Sequence, residues 1–473
     1  MAEDSELGLR EVVAMGVGGM VSGGIFAVLG VAMRQAGNAV PFSFLVAGAI
    51  TLLTGYSYVK LTLHFKEEGG AFSFIEHTVE NRNVAGFFGW VLVVGYVGVM
   101  AMYAFAFGAY LVGMFGYHSD HPFRILASVG VVAAFVGLNL LGVRESALFQ
   151  DLAVYIKAAF LLALALLGVA FSDGAWDVLT HFFDEGVVSA VAAFAIIFVA
   201  YEGFQLLVYD YNEIDNVERN LPRGMYVSIS IAIAIYVAVS FMATLHLTPE
   251  QVIVNEEYAL AEAVQGFLGV GGFVLVVVLA MQSTSSGINA TLFGTSRLTC
   301  RIATEEELPR LFSFRDQRGI PVYSLLVIGS LTAAFAVVGT LESITVFGSV
   351  VFLVADSAAN YANLRLHAET GSNPLVPAAG LAACLAAIPI VLYHLYVNSP
   401  GVLVTIGAIF VVMVLVEVLF LSRGRLGRAA GQLEERIVGA EERMRERVEE
   451  RVEERVEEPL EGAWEERVEE PLD

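Results

Sequence analysis

The sequence predicts an all-α integral membrane protein, a bundle of about twelve transmembrane helices built as a five-plus-five inverted repeat with two further helices at the C-terminal end. Three observations predict it. Hydrophobic residues make up 57% of the 473, with a mean hydropathy of +0.69, whereas soluble chains are roughly 45–50% apolar. Runs long enough to cross a bilayer core, about 20 residues as helix, recur from residue 9 to residue 422. Two of those runs, the first and the sixth, are interrupted by residues that weaken a helix.

The twelve runs are 9–35, 41–64, 85–117, 122–141, 146–171, 187–212, 223–247, 267–301, 320–338, 343–366, 376–397 and 400–422. The first exceeds a signal-peptide core and has no small-residue cleavage pattern behind it. A β-barrel would show alternating segments of about ten residues instead. Orientation follows the positive charges. Arg10, Lys60, Lys66, Arg82, Arg144, Arg219, Arg223, Arg297, Arg301, Arg310, Arg315, Arg318 and Arg365 lie at the N-terminus or in alternate loops. The opposite loops, near 172–186, 248–266 and 339–342, contain acids but no Lys or Arg. Both termini are therefore expected in the cytoplasm, with the chain multi-pass in the cell membrane.

The net charge of −23 comes largely from loops and from the segment after residue 422, which carries 17 acids and 10 arginines. Only three lysines stand against 23 arginines, a composition that suggests a salt-adapted host. The chain is expected to divide into a twelve-helix membrane domain, 1–422, and an acidic Arg/Glu-rich cytoplasmic tail, 423–473. The tail's RVEE units put Glu before Arg at helical spacing, but one Val per turn is too thin a face to fold alone. Cys300 and Cys384 fall on separate runs without metal-ligand spacing and read as core residues. No metal or cofactor is implied, and nothing points to nucleic acid. With short loops, the chemistry must lie within the bundle.

The first run contains GVGGMVSGGIFAVLG, Gly16 to Gly30. Gly16 and Gly19 fit close helix packing of the small-xxx-small kind. Ser22-Gly23-Gly24 is different, because three small residues in succession span more than one helix face and permit local unwinding. Unwound backbone at membrane depth is tolerated where it lines a cavity or binds something. Broken helices offer a helix N-terminus to an anion and freed carbonyls to a cation. In the sixth run, Tyr201-Glu202-Gly203 lies inside FAIIFVAYEGFQLLVYDY. An intramembrane glutamate is costly and by default functional, so this is the matching break.

These segments resemble a known family. GVGGMVSGGIFAVLG resembles the first-helix signature of amino acid–polyamine–organocation transporters, G-x-x-x-G-x-G-I-F. FVAYEGFQ…NEIDNVERNLPRGM is similar to the family's sixth-helix pattern, and QSTSSGINATLFGTSRLTCRIATEEELPRLF to its eighth-helix pattern with the loop that follows. ANYANLRLHAET, at the end of the tenth run, is a fourth match. Together they cover about residues 8–420 in the family's order.

The resemblance implies a LeuT-type fold in which a substrate carboxylate meets the amides of Ser22, Gly23 and Gly24. The substrate ammonium would meet carbonyls near Met20, with Val21 beside it, and near Val199, Ala200 and Glu202, next to Gly203. Phe198 or Tyr201 would supply an aromatic gate. Lys157 is the only lysine deep within a run, about eleven residues, or roughly 16 Å, from the cytoplasmic end, beyond the reach of snorkelling. In some family members a lysine here takes the place of a sodium ion between helices 1, 5 and 8. That implies proton coupling through Lys157, with Ser283, Thr284, Ser285 or Ser286 in contact with it. The arginine-rich loop Arg297–Arg318 is implied to meet the acidic segment Asn212–Arg219.

The chain also departs from the pattern. Gln205 replaces the usual glutamate, and Glu202 is placed to take over a proton role. Asp356 occupies a position normally apolar, either pairing with a polar neighbour or acting in gating or cation recognition. Asn289 and Asn360 read as interhelical hydrogen-bond donors.

No H-E-x-x-H, His–carboxylate pair or phosphate loop is present, which argues against an enzyme. The expected function is secondary active transport of amino acids by alternating access, as proton-coupled uptake of neutral amino acids. The alternatives are an exchanger for cationic substrates and a non-transporting amino-acid sensor. The expected partners are an amino acid, the proton and the lipid bilayer, with the chain a monomer or homodimer.

Overall fold

Apolar runs of this length become helices because the bilayer core offers the backbone no hydrogen-bond partner other than itself. The computed structural model describes residues 7–67, 70–79, 82–142, 147–172, 175–304, 308 and 310–411. Arg144, the second half of the twelfth run and the acidic segment 423–473 lie outside the described residues.

The first run folds as two helices, α1 (Leu9–Met20) and α2 (Gly24–Ala36), and a short 3-10 turn leads into α3 (Val40–Phe65). α4 (Gly70–Thr78) precedes α5 (Arg82–Met114), α6 (Pro122–Leu141) and α7 (Ala147–Ala170). After α8 (Ala175–Thr180), the sixth run comprises α9 (Val187–Ile197), a 3-10 turn over Phe198–Tyr201 and α10 (Leu206–Tyr209). There follow α11 (Val217–His246), α12 (Pro249–Val254), α13 (Ala259–Thr304), α14 (Val322–Val338), α15 (Leu341–Arg365), α16 (His367–Thr370) and α17 (Leu375–Asn398). A last apolar helix covers Pro400–Val411.

Among the described residues, nine stretches are long and apolar enough to span a membrane; one of them, Gly24–Phe65, contains both α2 and α3. α14 and Pro400–Val411 are shorter. Helix boundaries follow local chemistry. Pro122 opens α6 where a missing N–H costs nothing, and Gly142 closes it at φ 74. Thr340 and Ser343 cap α15 reciprocally. α13 is kinked at Gly269, whose φ of 62 favours glycine.

α5 and α15 form the centre, with 89% of their apolar windows buried, while α6 and α17 are peripheral at 28%. α5 packs on α13, α15 and α6; α11 packs on α1, α3 and α7. This brings the broken first and sixth spans against the central helices. Arg34 and Arg124, on the side opposite the loop arginines, are both engaged. Arg34 pairs with Glu256 at 3.0 Å. Arg124 lies 4.0 Å over the Phe105 ring and donates to the carbonyls of Ser119 and Ala336.

Candidate functional site

The site is where the two interrupted spans meet. α1 stops at Met20, Val21–Gly23 form a turn, and α2 starts at Gly24. No backbone acceptor takes the N–H of Ser22 or Gly23 among the described bonds, as expected between one helix end and the next helix start. Ser22 Oγ donates to Gly19 O (2.8 Å) and lies 3.1 Å from Tyr103 Oη. The Tyr103 ring covers the break: a Cβ on Gly23 would stand 2.4 Å from it, and one on Gly287 of α13 2.8 Å.

The sixth span breaks over eight residues. The 3-10 turn Phe198–Tyr201 gives way to an extended Glu202 and to Gly203 at φ 118. Gly19 and Gly203 touch through backbone atoms, since a Cβ on Gly203 would lie 2.5 Å from the Gly19 carbonyl carbon. Gly24 approaches Ala200 O equally closely, at 2.7 Å for its would-be Cβ. Gly16 differs; its space is taken by Ser228 of α11, a plain helix-packing contact. Side chains pin the second break. Tyr236 Oη lies 2.7 Å from Met20 O and 2.9 Å from Ala200 O, sharing one proton between the two carbonyls. Val199 N–H donates to Ser349 Oγ (3.0 Å), which bonds Ile196 O in turn.

The remaining sequence-derived residues fall into three groups. Met20, Val21, Ser22, Gly23, Gly24, Val199, Ala200 and Gly203 are brought together at the two breaks. Phe198 is buried, whereas Tyr201 is tied to Phe44 O of α3 (2.7 Å) and packs on the Tyr236 ring. Its hydroxyl is thus anchored to α3 rather than free over the break.

Lys157 is 4% exposed and lies on the α7 face that carries Val154, Ala158 and Leu161, all buried. Val154 fits against Gly18, whose would-be Cβ stands 2.9 Å from it. α1 and α7 are four crossings apart and run in the same direction, so one turn beyond this contact Lys157 is level with Val21, where α1 ends. No described residue hydrogen-bonds or ion-pairs with the Lys157 amine. Ser283 is buried with an unpartnered hydroxyl, Thr284 bonds Ala280 O of its own helix, and Ser285 and Ser286 are half-buried.

Glu202 and Asp356 form the third group. Gln205 accepts from Gly203 N–H (2.9 Å) and donates to Glu202 Oε2, while Tyr58 donates to Asp356 Oδ1 at 3.1 Å. Asn360, one turn along α15, donates to Thr54 Oγ1 and accepts from Ser57. Asn289 accepts from Asn139 of α6 at 2.8 Å, so here it serves as acceptor rather than donor. The arginine Arg301 reaches Tyr209, beside the segment Asn212–Arg219, electrostatically.

Comparison with known proteins now decides the lineage. The amino acid permease family profile matches residues 7–421. This chain belongs to the amino acid permease family. The permease is 27% identical to an uncharacterized protein of Methanocaldococcus jannaschii over 88% of this chain and 96% of that one. It is 27% identical to the inner membrane transport protein YbaT of Escherichia coli, over 87% and 96%. A crystal structure of the Eremococcus coleocola manganese transporter shares the fold, with a TM-score of 0.58, 14% identity, and coverage of 88% of this chain and 93% of that one. The permease is accordingly a multi-pass membrane transporter of the LeuT-type fold, not an enzyme.

Tyr103, Tyr236, Ser349 and Tyr58 were not singled out by the sequence, although each fixes part of the site. A weak signal exists: a buried tyrosine hydroxyl in an apolar helix must find a partner.

Proposed function

We propose that this permease takes up amino acids by alternating access at the plasma membrane, with both termini cytoplasmic, coupled to protons. The carrying observation is the back-to-back contact of the two breaks at Gly19 and Gly203, which juxtaposes the free amides of Ser22 and Gly23 with the carbonyls of Met20 and Ala200. Amides at the start of α2 suit a carboxylate, and the carbonyls of Met20 and Ala200, each with a second lone pair beyond Tyr236, suit an ammonium. The groups that cover the first break, Tyr103 and Gly287, are aromatic or apolar, and Glu202 at the second break is engaged by Gln205, which favours neutral amino acids.

Lys157, buried level with the end of α1 and without a partner among the described residues, is the coupling residue, and of Ser283, Thr284, Ser285 and Ser286 on α13 it is Ser283 whose buried hydroxyl has no partner. Glu202 lies at the second break and takes part in the same coupling. Residues 1–422 carry transport, and 423–473 form a cytoplasmic tail.

The test is uptake of a labelled amino-acid mixture into proteoliposomes in sodium-free buffer, with and without an inward proton gradient. Gradient-driven accumulation, abolished by Lys157→Ala, is the expected result. Accumulation that requires preloaded amino acid and ignores the gradient would make the protein an exchanger instead.

A further inference from the structure

Glu202 and Asp356 come from different spans yet share one enclosure. Both are buried, at 2% and 0% exposure, and Tyr58, which donates to Asp356, packs on the Phe204 ring two residues from Glu202, at 5.2 Å between ring centroids. Each has one oxygen served by a neighbour, Gln205 or Tyr58, and one with no partner at all: Glu202 Oε1 and Asp356 Oδ2. No described cation pairs with either. The groups that face them are Tyr58 from α3, Tyr96 and Tyr103 from α5, and Tyr209 from α10. Cys384 adds a thiol from α17, and Arg301 lies within electrostatic reach of Tyr209.

Two adjacent carboxylates sealed from water without a positive charge are strongly unfavourable. A proton is the one cation that needs no cavity to enter. Gln205 is suited to this arrangement, because its amide donates to an acid where a glutamate would add a third. Tyr96, a neighbour of the pair, precedes Tyr103 by seven residues of α5, about 10 Å of helix. Asp356, toward the Arg365 end of α15, therefore lies on the terminus-bearing side of the second break, in which Glu202 itself stands.

We propose that Glu202 and Asp356 together form a second proton-carrying site, which holds a proton while that side is closed and releases it when that side opens. The two acids sit on separate elements, Glu202 in the break and Asp356 on α15. Movement of the sixth span away from α15 parts them and admits water. The proton then passes from a carboxyl oxygen to water, leaving a carboxylate, and returns from water before closure. The site is distinct from Lys157, and its transport role rests on the proton-coupled reading above.

The test combines infrared spectroscopy and exchange in the same liposomes. In the wild type, the C=O stretching band of a protonated carboxyl is expected at neutral pH, where exposed acids are ionised, and it shrinks as pH rises. Glu202→Gln and Asp356→Asn each reduce it, the double variant removes the shared part, and Lys157→Ala keeps it. Whatever exchange rate the double variant retains changes less than about twofold across a pH range where the wild type changes about tenfold. A wild type without the band, or a double variant that keeps the band or the pH profile, overturns the proposal. A wild type that shows the band but moves no amino acid defeats the transport reading and leaves the proton site standing.

Discussion

The two helix breaks do similar geometric work by opposite means. The first, Val21–Gly23, is three residues long and set among small residues: Gly19, Gly23 and Gly24 each leave space that another chain element fills, whether Gly203 backbone, the Tyr103 ring or Ala200 O. The second is eight residues long, has a single glycine, and is held by hydrogen bonds to three other helices, from Tyr236 of α11, to Ser349 of α15 and, through Tyr201, to the Phe44 carbonyl of α3. A break made of absent side chains is intolerant of any addition. A break made of hydrogen bonds weakens in steps as donors are removed.

This contrast is breakable. The largest effect is expected from Gly203→Val, which places a branched side chain at φ 118 and against Gly19 backbone. Strain of roughly 1–3 kcal/mol and a comparable overpacking cost should abolish uptake and lower Tm in a thermal-shift assay. Gly23→Val tests the first break, where the Tyr103 ring must move; loss of uptake with a smaller drop in Tm is expected, at about 1–3 kcal/mol. If either variant transports normally, the breaks are not packed as described.

Tyr236→Phe removes the hydroxyl that joins the breaks and should cost about 1–2 kcal/mol, read as a roughly tenfold loss in uptake rate with the protein still folded. Ser349→Ala leaves the Val199 N–H without its acceptor and should act in the same direction, by about 1 kcal/mol. The smallest effect on uptake is expected from Arg34→Ala, far along α2 from either break. Its side chain is 54% exposed but that of Glu256 only 11%, so the variant leaves a mostly buried carboxylate without its cation; Tm should fall in a thermal-shift assay while uptake changes little.

The sequence carried the spans well because the bilayer imposes one demand on every run: α6 begins and ends at residues 122 and 141, as its apolar run does, and α7, α14 and α17 agree within two residues. The eighth run is read as starting at 267, next to the break at Gly269 that divides α13; the helical stretch before that break, from Ala259, is read as loop because Glu262, Gln265 and Gly266 interrupt its apolar period. α4, α8 and α12 are short helices inside stretches read as loops, too polar or too brief to show an apolar period. At the site, Gly23 and Glu202 stood out as misfits in apolar runs, and the interruptions fall on them. Tyr103, Tyr236 and Ser349 did not stand out, because a lone hydroxyl acquires meaning only through a partner 81, 216 or 150 residues away.

Gly30 of α2 lies against the backbone of Glu256, so tightly that a Cβ there would come within 1.9 Å of the Glu256 carbonyl oxygen. The stretch Pro249–Tyr258 is thus seated on α2, and α13 kinks just beyond it at Gly269. Any tilt of α2 must displace this stretch as a lever displaces its pointer. Ile253, 62% exposed, rides on that pointer and touches neither break. A fluorophore attached there would report the movement of α2 in real time, from a position outside both breaks.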